Sequence, residues 1–482
     1  MPRRPQGNIP LLELDAESAV PLYRQLVEAL RQAILTGRLA EQTRLPSTRS
    51  LAQDLAVSRS TVVTAYEQLI SEGYLLSRSG SGTVVPAGLA LLDFESTGGS
   101  PPGAGTGPPR ASTAARPPAP FRPGIPALDE FASSAFGRIM RRVFGSAGPE
   151  LFTAGAPQGD TMLRECIARH LRGSRKVRCS PEDIIVTSGA QEALSLAFDV
   201  VTVVGDEVWM ENPGYSGARA AAEVTGARPV PVPVDRDGMI VSEGIRRWPA
   251  ARGAYVTPSH QFPTGGTLAL TRRLELLEWA ARERRYVIED DYDSEFRLEG
   301  RPLPSLQGLD QEGRVIYVGT FSKSLSPGLR LGFLVLPPAL FERACRMKED
   351  RTGPQPPWLQ RTAAVFMEEG HFARHVRRTR ALYRDRRDAL RSAAASQLDG
   401  VGRLREPTGA MHAVLDLPAG SDPVAVAHRA RAAGIEVLPL SYFVVPPDEV
   451  TDAALLLGFG GYAPAAIRRG IAGLRQAIEA EG

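Results

Sequence analysis

Five short apolar runs in the second part of the chain each end in a loop of small or polar residues, and that repetition limits the possible folds more than any single motif. Asp183 to Val186 runs into Thr187, Ser188, Gly189 and Ala190 ahead of a helical stretch from Gln191 to Val200. Glu207 to Met210 runs into ENPGYSG, Ala254 to Thr257 into PSHQFPTGG, Tyr286 to Ile288 into EDDYDSEFR, and Val315 to Val318 into GTFSKS. Runs this short, separated by helical periodicity, predict a mostly parallel α/β sheet from Phe121 onward. In such sheets ligands bind beyond the carboxyl ends of the strands, where these polar loops should gather.

Lys323 stands out within that set. Lysines number only three (Lys176, Lys323, Lys348) among 57 Lys+Arg, so wherever a surface cation suffices the chain uses arginine. A desolvated lysine can shed its proton and attack a carbonyl, which an arginine cannot do. Arg330 offers a fixed fork for a phosphate, and Thr320 and Ser322 offer hydroxyls. The segment RVIYVGTFSKSLSPGLRLG, Arg314 to Gly332, resembles the Schiff-base segment of fold-type I aminotransferases, which bind pyridoxal 5′-phosphate (PLP).

That resemblance assigns further roles. Lys323 would carry PLP through a Schiff base, Asp290 would face the pyridine nitrogen, and Tyr292 would bond the ring hydroxyl. Gly189, Ala190 and Gln191, opening a helix, would hold the phosphate with Thr320, Ser322 and Arg330. Tyr215 could stack on the ring; an exposed turn tyrosine is the other reading. The acids Glu289, Asp290, Asp291 and Asp293 could also be a solvated loop, and no metal is expected there without a nearby histidine set. His371 and His375 lie one helical turn apart but within a strongly cationic stretch, so no metal is expected there either.

The first 85 residues form a separate pattern. Leu22, Leu26, Leu30 and Ile34 make one helical stripe, Ser47 can cap a second helix, and Ser58 can cap a third from Arg59 to Ser71. Two strand-like pieces around a Ser/Gly loop follow as a wing. Bulk charge is uninformative, at nine arginines against eight acids, but between Gln42 and Tyr66 three arginines meet one acid. The candidate DNA contacts are Arg44, Ser47, Arg49, Ser58, Arg59, Thr61 and, on the wing, Gly80 and Gly82. The runs LPSTRSLA, VSRSTV, YEQLISEGY and GSGTVV resemble the winged helix of GntR-type regulators.

Residues 86–120 contain 27 Pro, Gly, Ala, Ser or Thr among 35 and should be a tether. The expected division is therefore 1–85 DNA-binding domain, 86–120 linker and 121–482 PLP-binding domain. Three scattered cysteines and the lack of any 18-residue apolar run fit a cytoplasmic protein away from membranes. Taken together the chain resembles the MocR/GabR-type regulators, with TPSHQFPTG, IEDDYDSEFR and GTFSKSLSPGLRLG as that group's forms of the aminotransferase motifs. The resemblance implies a PLP-dependent transcription regulator that binds operator DNA, senses an amine or amino compound, and forms a head-to-tail homodimer. A working aminotransferase with an attached DNA module is the alternative, and a cofactor-free dimerisation scaffold a third. Two departures bear on the effector. Phe262 stands where many aminotransferases have Asn, and no arginine falls between Arg431 and Arg468 to clamp a carboxylate. Arg219 is a possible substitute, and an effector without a carboxylate, or PLP itself, fits better.

Overall fold

The computed structural model describes residues 14–78, 82–87, 119–298, 304–407, 409, 411–444 and 453–480. Residues 88–118, most of the expected linker, and Gly80 of the expected wing lie outside them. The chain divides into two compact units, Met1–Ala114 and Ala115–Gly482. No helix among the described residues is long and apolar enough to cross a membrane.

In the first unit, α1 (Leu22–Leu35), α2 (Thr48–Asp54) and α3 (Arg59–Ser71) precede a two-stranded antiparallel wing, β1 (Leu76–Arg78) and β2 (Gly82–Val84). The serines set the helix starts: Ser47 accepts the Ser50 N–H and Ser58 the Thr61 N–H, each at 3.1 Å. Leu26, Leu30 and Ile34 bury their stripe against Leu51, Val62, Leu69 and Leu75, while Leu22 is only half-buried.

The second unit is built on an eight-stranded sheet. Its strands are β3 (Ile184–Thr187), β4 (Glu207–Asn212), β5 (Arg228–Asp235), β6 (Gly238–Met239), β7 (Gly253–Val256), β8 (Tyr286–Asp291), β9 (Val315–Thr320) and β10 (Gly332–Val335), in the order β3-β10-β9-β8-β7-β4-β5-β6. The pairs β5–β4, β4–β7, β7–β8 and β8–β9 are parallel, and β10 runs against both neighbours. The carboxyl ends of β3, β4, β7, β8 and β9 thus share one edge. A smaller antiparallel sheet joins β11 (Arg403–Leu404), β12 (His412–Asp416), β13 (Leu438–Pro439) and β14 (Ala454–Gly458) in the order β11-β12-β14-β13.

Three strands run further than their apolar character predicts. β4 continues through Glu211 and Asn212, β8 through Glu289, Asp290 and Asp291, and β9 through Gly319 and Thr320. The acids remain in the sheet because residues from elsewhere in the chain bond to them inside the protein, which rules out the solvated-loop reading of this cluster.

Candidate functional site

Lys323 sits one turn beyond β9, where the Thr320 hydroxyl accepts the Ser322 N–H at 3.1 Å and starts the short helix Phe321–Ser324. The lysine side chain is largely enclosed, and Nζ donates to the Gly124 carbonyl at 2.6 Å. Burial pulls its pKa down, while Asp293 and Asp290 pull the other way.

The acidic run sorts by partner. Glu289 accepts the backbone N–H groups of Leu306 and Gln307, both at 2.8 Å. Asp291 accepts from Arg175 Nε at 2.7 Å and from the Tyr317 hydroxyl at 2.6 Å. Asp293 lies 2.8 Å from His260 Nδ1. Asp290 accepts only the Tyr255 hydroxyl, at 2.8 Å on Oδ2, and its buried Oδ1 has no partner among the described residues. Burial first, then the neighbouring acids, push the Asp290 carboxyl up to about 7.

Gly189 ends the β3 turn at φ +122°, a conformation side chains rarely adopt, and the helix Ala190–Val201 follows. The amides of Ala190 and Gln191 fall in its first turn, where N–H groups lack intrahelical acceptors. Because Gly332 pairs with both Thr187 and Thr320, the β9–β10 corner closes on this turn. Arg330 comes with it: a Cβ on Gly189 would stand 3.8 Å from the Arg330 guanidinium carbon. Arg330 is exposed and has no ion pair among the described residues. The Gln191 side chain donates to the Gly217 carbonyl at 2.9 Å.

Tyr215 is half-buried rather than an exposed turn residue. Its ring lies over Gly217, where a Cβ would come within 2.4 Å of Tyr215 Cζ, and it meets Phe262 edge-on at 5.6 Å. Tyr292 places its hydroxyl 3.0 Å from His260 Nδ1. Phe262 touches Tyr292, His412 and Phe443 as well, so the position of the expected Asn is the hub of an aromatic cluster. Arg219 shares a cavity wall with Glu211, Tyr215, Tyr255 and Phe443, but its Nη1 donates to the Val444 carbonyl at 2.7 Å. Tyr255, Glu211, His260, His412 and Gly124 escaped the sequence reading. Tyr255 stands inside a recognised strand, Glu211 directly after a recognised apolar run and His260 within the recognised PSHQFPTGG, whereas Gly124 and His412 carry no local signal.

In the first unit, Ser47, Arg49, Ser58, Arg59 and half-buried Thr61 mark the amino ends of α2 and α3. Arg44 lies beside the wing: a Cβ on Gly82 would stand 3.1 Å from its Nε. Arg44, Arg49 and Arg59 are exposed without an ion pair among the described residues, whereas Arg31 is tied to Glu72 at 2.6 Å.

A family profile described as "Aminotransferase class I and II" matches residues 135–450, and "Bacterial regulatory proteins, gntR family" matches residues 22–85. The chain is 39% identical over 479 residues to the "Probable rhizopine catabolism regulatory protein MocR" of Rhizobium meliloti, covering 97% of this chain and 96% of that protein. It is 33% identical over 473 residues to the "HTH-type pyridoxine biosynthesis transcriptional regulator PdxR" of Corynebacterium glutamicum, covering 97% and 98%. Among solved structures, Pyrococcus horikoshii kynurenine aminotransferase, in complex with PMP, superposes with a TM-score of 0.70 at 29% identity over 76% of this chain and 92% of its own.

Proposed function

The chain belongs to the family of gntR-type transcription regulators that carry an aminotransferase class I and II domain, and from that premise we propose that it senses a small amine, amino compound or PLP itself at Lys323 and answers through its winged helix on DNA. It is a transcription regulator, and its cofactor is PLP. The residues present fit that group. Asp290 Oδ1, without a partner among the described residues, is an acceptor in want of a buried N–H, and the Arg330 guanidinium stands beside the Gly189 turn.

When bound, PLP supplies an aldehyde carbon open to amines and a pyridine ring that draws electrons when its nitrogen is protonated. Lys323 provides the enclosed amine for that carbon. Asp290, oriented by Tyr255, holds the proton at the ring nitrogen, Tyr292 bonds the ring hydroxyl, and Tyr215 covers a ring face. The amides after Gly189, at Ala190 and Gln191, take the phosphate with Thr320, Ser322 and Arg330. On DNA, Ser58, Arg59 and Thr61 reach bases and phosphates from the start of α3, Ser47 and Arg49 add contacts from α2, and Arg44 and Gly82 bring the wing to a phosphate. The working protein is a cytoplasmic homodimer, head to tail, with residues 1–85 on the operator, 86–120 as tether and 121–482 as sensor.

The observation that carries this reading is Asp290 Oδ1, without a partner among the described residues, beside the enclosed Lys323. Its test is the affinity of the full chain for its own upstream DNA, with and without PLP, in the natural protein and in Lys323→Ala. PLP should change the affinity of the natural protein and leave the variant's unchanged; equal responses would overturn the reading. Likeness to a kynurenine aminotransferase supports a second reading, an active transaminase, and steady consumption of an amino donor and a 2-oxo acid would favour it.

A further inference from the structure

His412 stands on β12, only 4% exposed, and belongs to none of the roles above. It packs parallel to His260 at 5.0 Å and to Tyr292 at 6.5 Å, and meets the Phe262 ring at 5.2 Å. Its neighbour His260 is occupied, with Nδ1 shared between Asp293 at 2.8 Å and the Tyr292 hydroxyl at 3.0 Å. His412 differs. The backbone group that faces its ring is that of Pro263, and proline has no N–H, so the ring is the donor there and the carbonyl the acceptor. Nε2 is the buried atom with no partner among the described residues, so Nδ1 carries the hydrogen and Nε2 presents a bare lone pair. Burial, His260 and nearby Lys323 all keep the ring neutral.

A buried acceptor without a partner is costly and calls for a donor from a ligand or a trapped water. The geometry points to His412 Nε2 as the specificity-determining acceptor of the effector site, receiving a hydrogen bond from a second donor, a hydroxyl or an ammonium, carried by the amine that reaches PLP at Lys323. A neutral imidazole presenting only a lone pair cannot bind a carboxylate. Arg219, the nearest candidate for that task, already donates to Val444. The ligand class is therefore amino alcohols and diamines with a short apolar body against Phe262, ahead of amino acids whose far end only accepts. This inference rests on the reading of Lys323 as the PLP lysine.

The test uses the full chain loaded with PLP and four probes of equal carbon count: propylamine, 3-aminopropan-1-ol, 1,3-diaminopropane and 3-aminopropanoate. Binding is followed by PLP absorbance at matched PLP occupancy in the natural protein, His412→Phe and His412→Gln. The natural protein should bind the amino alcohol or the diamine roughly tenfold or more tighter than propylamine and 3-aminopropanoate. That preference should vanish in His412→Phe and return in part in His412→Gln, which restores an acceptor. An unchanged ranking in His412→Phe, or preference for 3-aminopropanoate in the natural protein, would overturn the inference, leaving Nε2 to a trapped water. Failure of the underlying reading looks different: no absorbance that depends on Lys323 would develop before any probe is added.

Discussion

Glu289 and Asp290 lie at the end of β8 and Glu211 near the end of β4, and burial pushes each carboxyl up to about 7. Around Asp290 stand Tyr255, Asp291, Asp293 and Lys323; around Glu211 stand Thr257, Gln261 and Asp290. Around Glu289 stand Asp291, Arg273 and the Leu306 and Gln307 amides. In the unfolded chain these acids ionise at their ordinary values, so between about pH 4 and about pH 7 the folded state holds more protons. Stability without PLP should therefore fall as pH rises through that window. A pyridinium beside Asp290 reverses its part of the effect by favouring the anion. Calorimetry should find that the rise in melting temperature on adding PLP is larger at about pH 7 than at about pH 5. Asp290→Asn should abolish that difference and weaken PLP binding about tenfold or more, the scale of a lost charged hydrogen bond. A PLP effect that is flat with pH in the natural protein would contradict the role given to Asp290.

The amino end of α3 separates folding from recognition. Ser58→Ala removes the cap from Thr61 and should cost about 1 kcal/mol of stability in the first unit, read from denaturant unfolding. Arg49→Ala with Arg59→Ala removes two exposed cations that have no ion pair among the described residues and should leave stability within about 0.5 kcal/mol. The same pair should lower DNA affinity and reduce its dependence on salt by about two counterions. Unchanged DNA binding would remove both arginines from the interface. These helix starts were legible because a capping serine acts within three residues of itself. The strand ends were legible for a similar local reason, apolar runs giving way to small and polar residues. β8 was read short because Glu289, Asp290 and Asp291 look like loop by composition; the groups that bury two of them, Leu306, Gln307 and Arg175, are distant in sequence. His412 and Gly124 were invisible for the same reason. Neither lies in a motif, and only the packing of the small sheet and of the segment after residue 118 brings them to the lysine.

Each unit buries its own core. The cluster around Leu26, Leu30, Val62 and Leu69 draws only on residues up to Val85, and the remaining clusters draw on residues from Phe121 onward. Residues 119–482 expressed alone should therefore fold and bind PLP, and loss of PLP binding in that piece would make the first unit part of the sensor. The central claim is that Lys323, faced by Asp290 and flanked by the Gly189 turn and Arg330, is where this regulator holds PLP. It is tested most directly by the visible absorbance of the full chain after PLP is added and the excess removed, beside Lys323→Ala. A band retained by the natural protein and missing from the variant is the predicted result. A natural protein that stays colourless, or a variant that retains the same band, would contradict it.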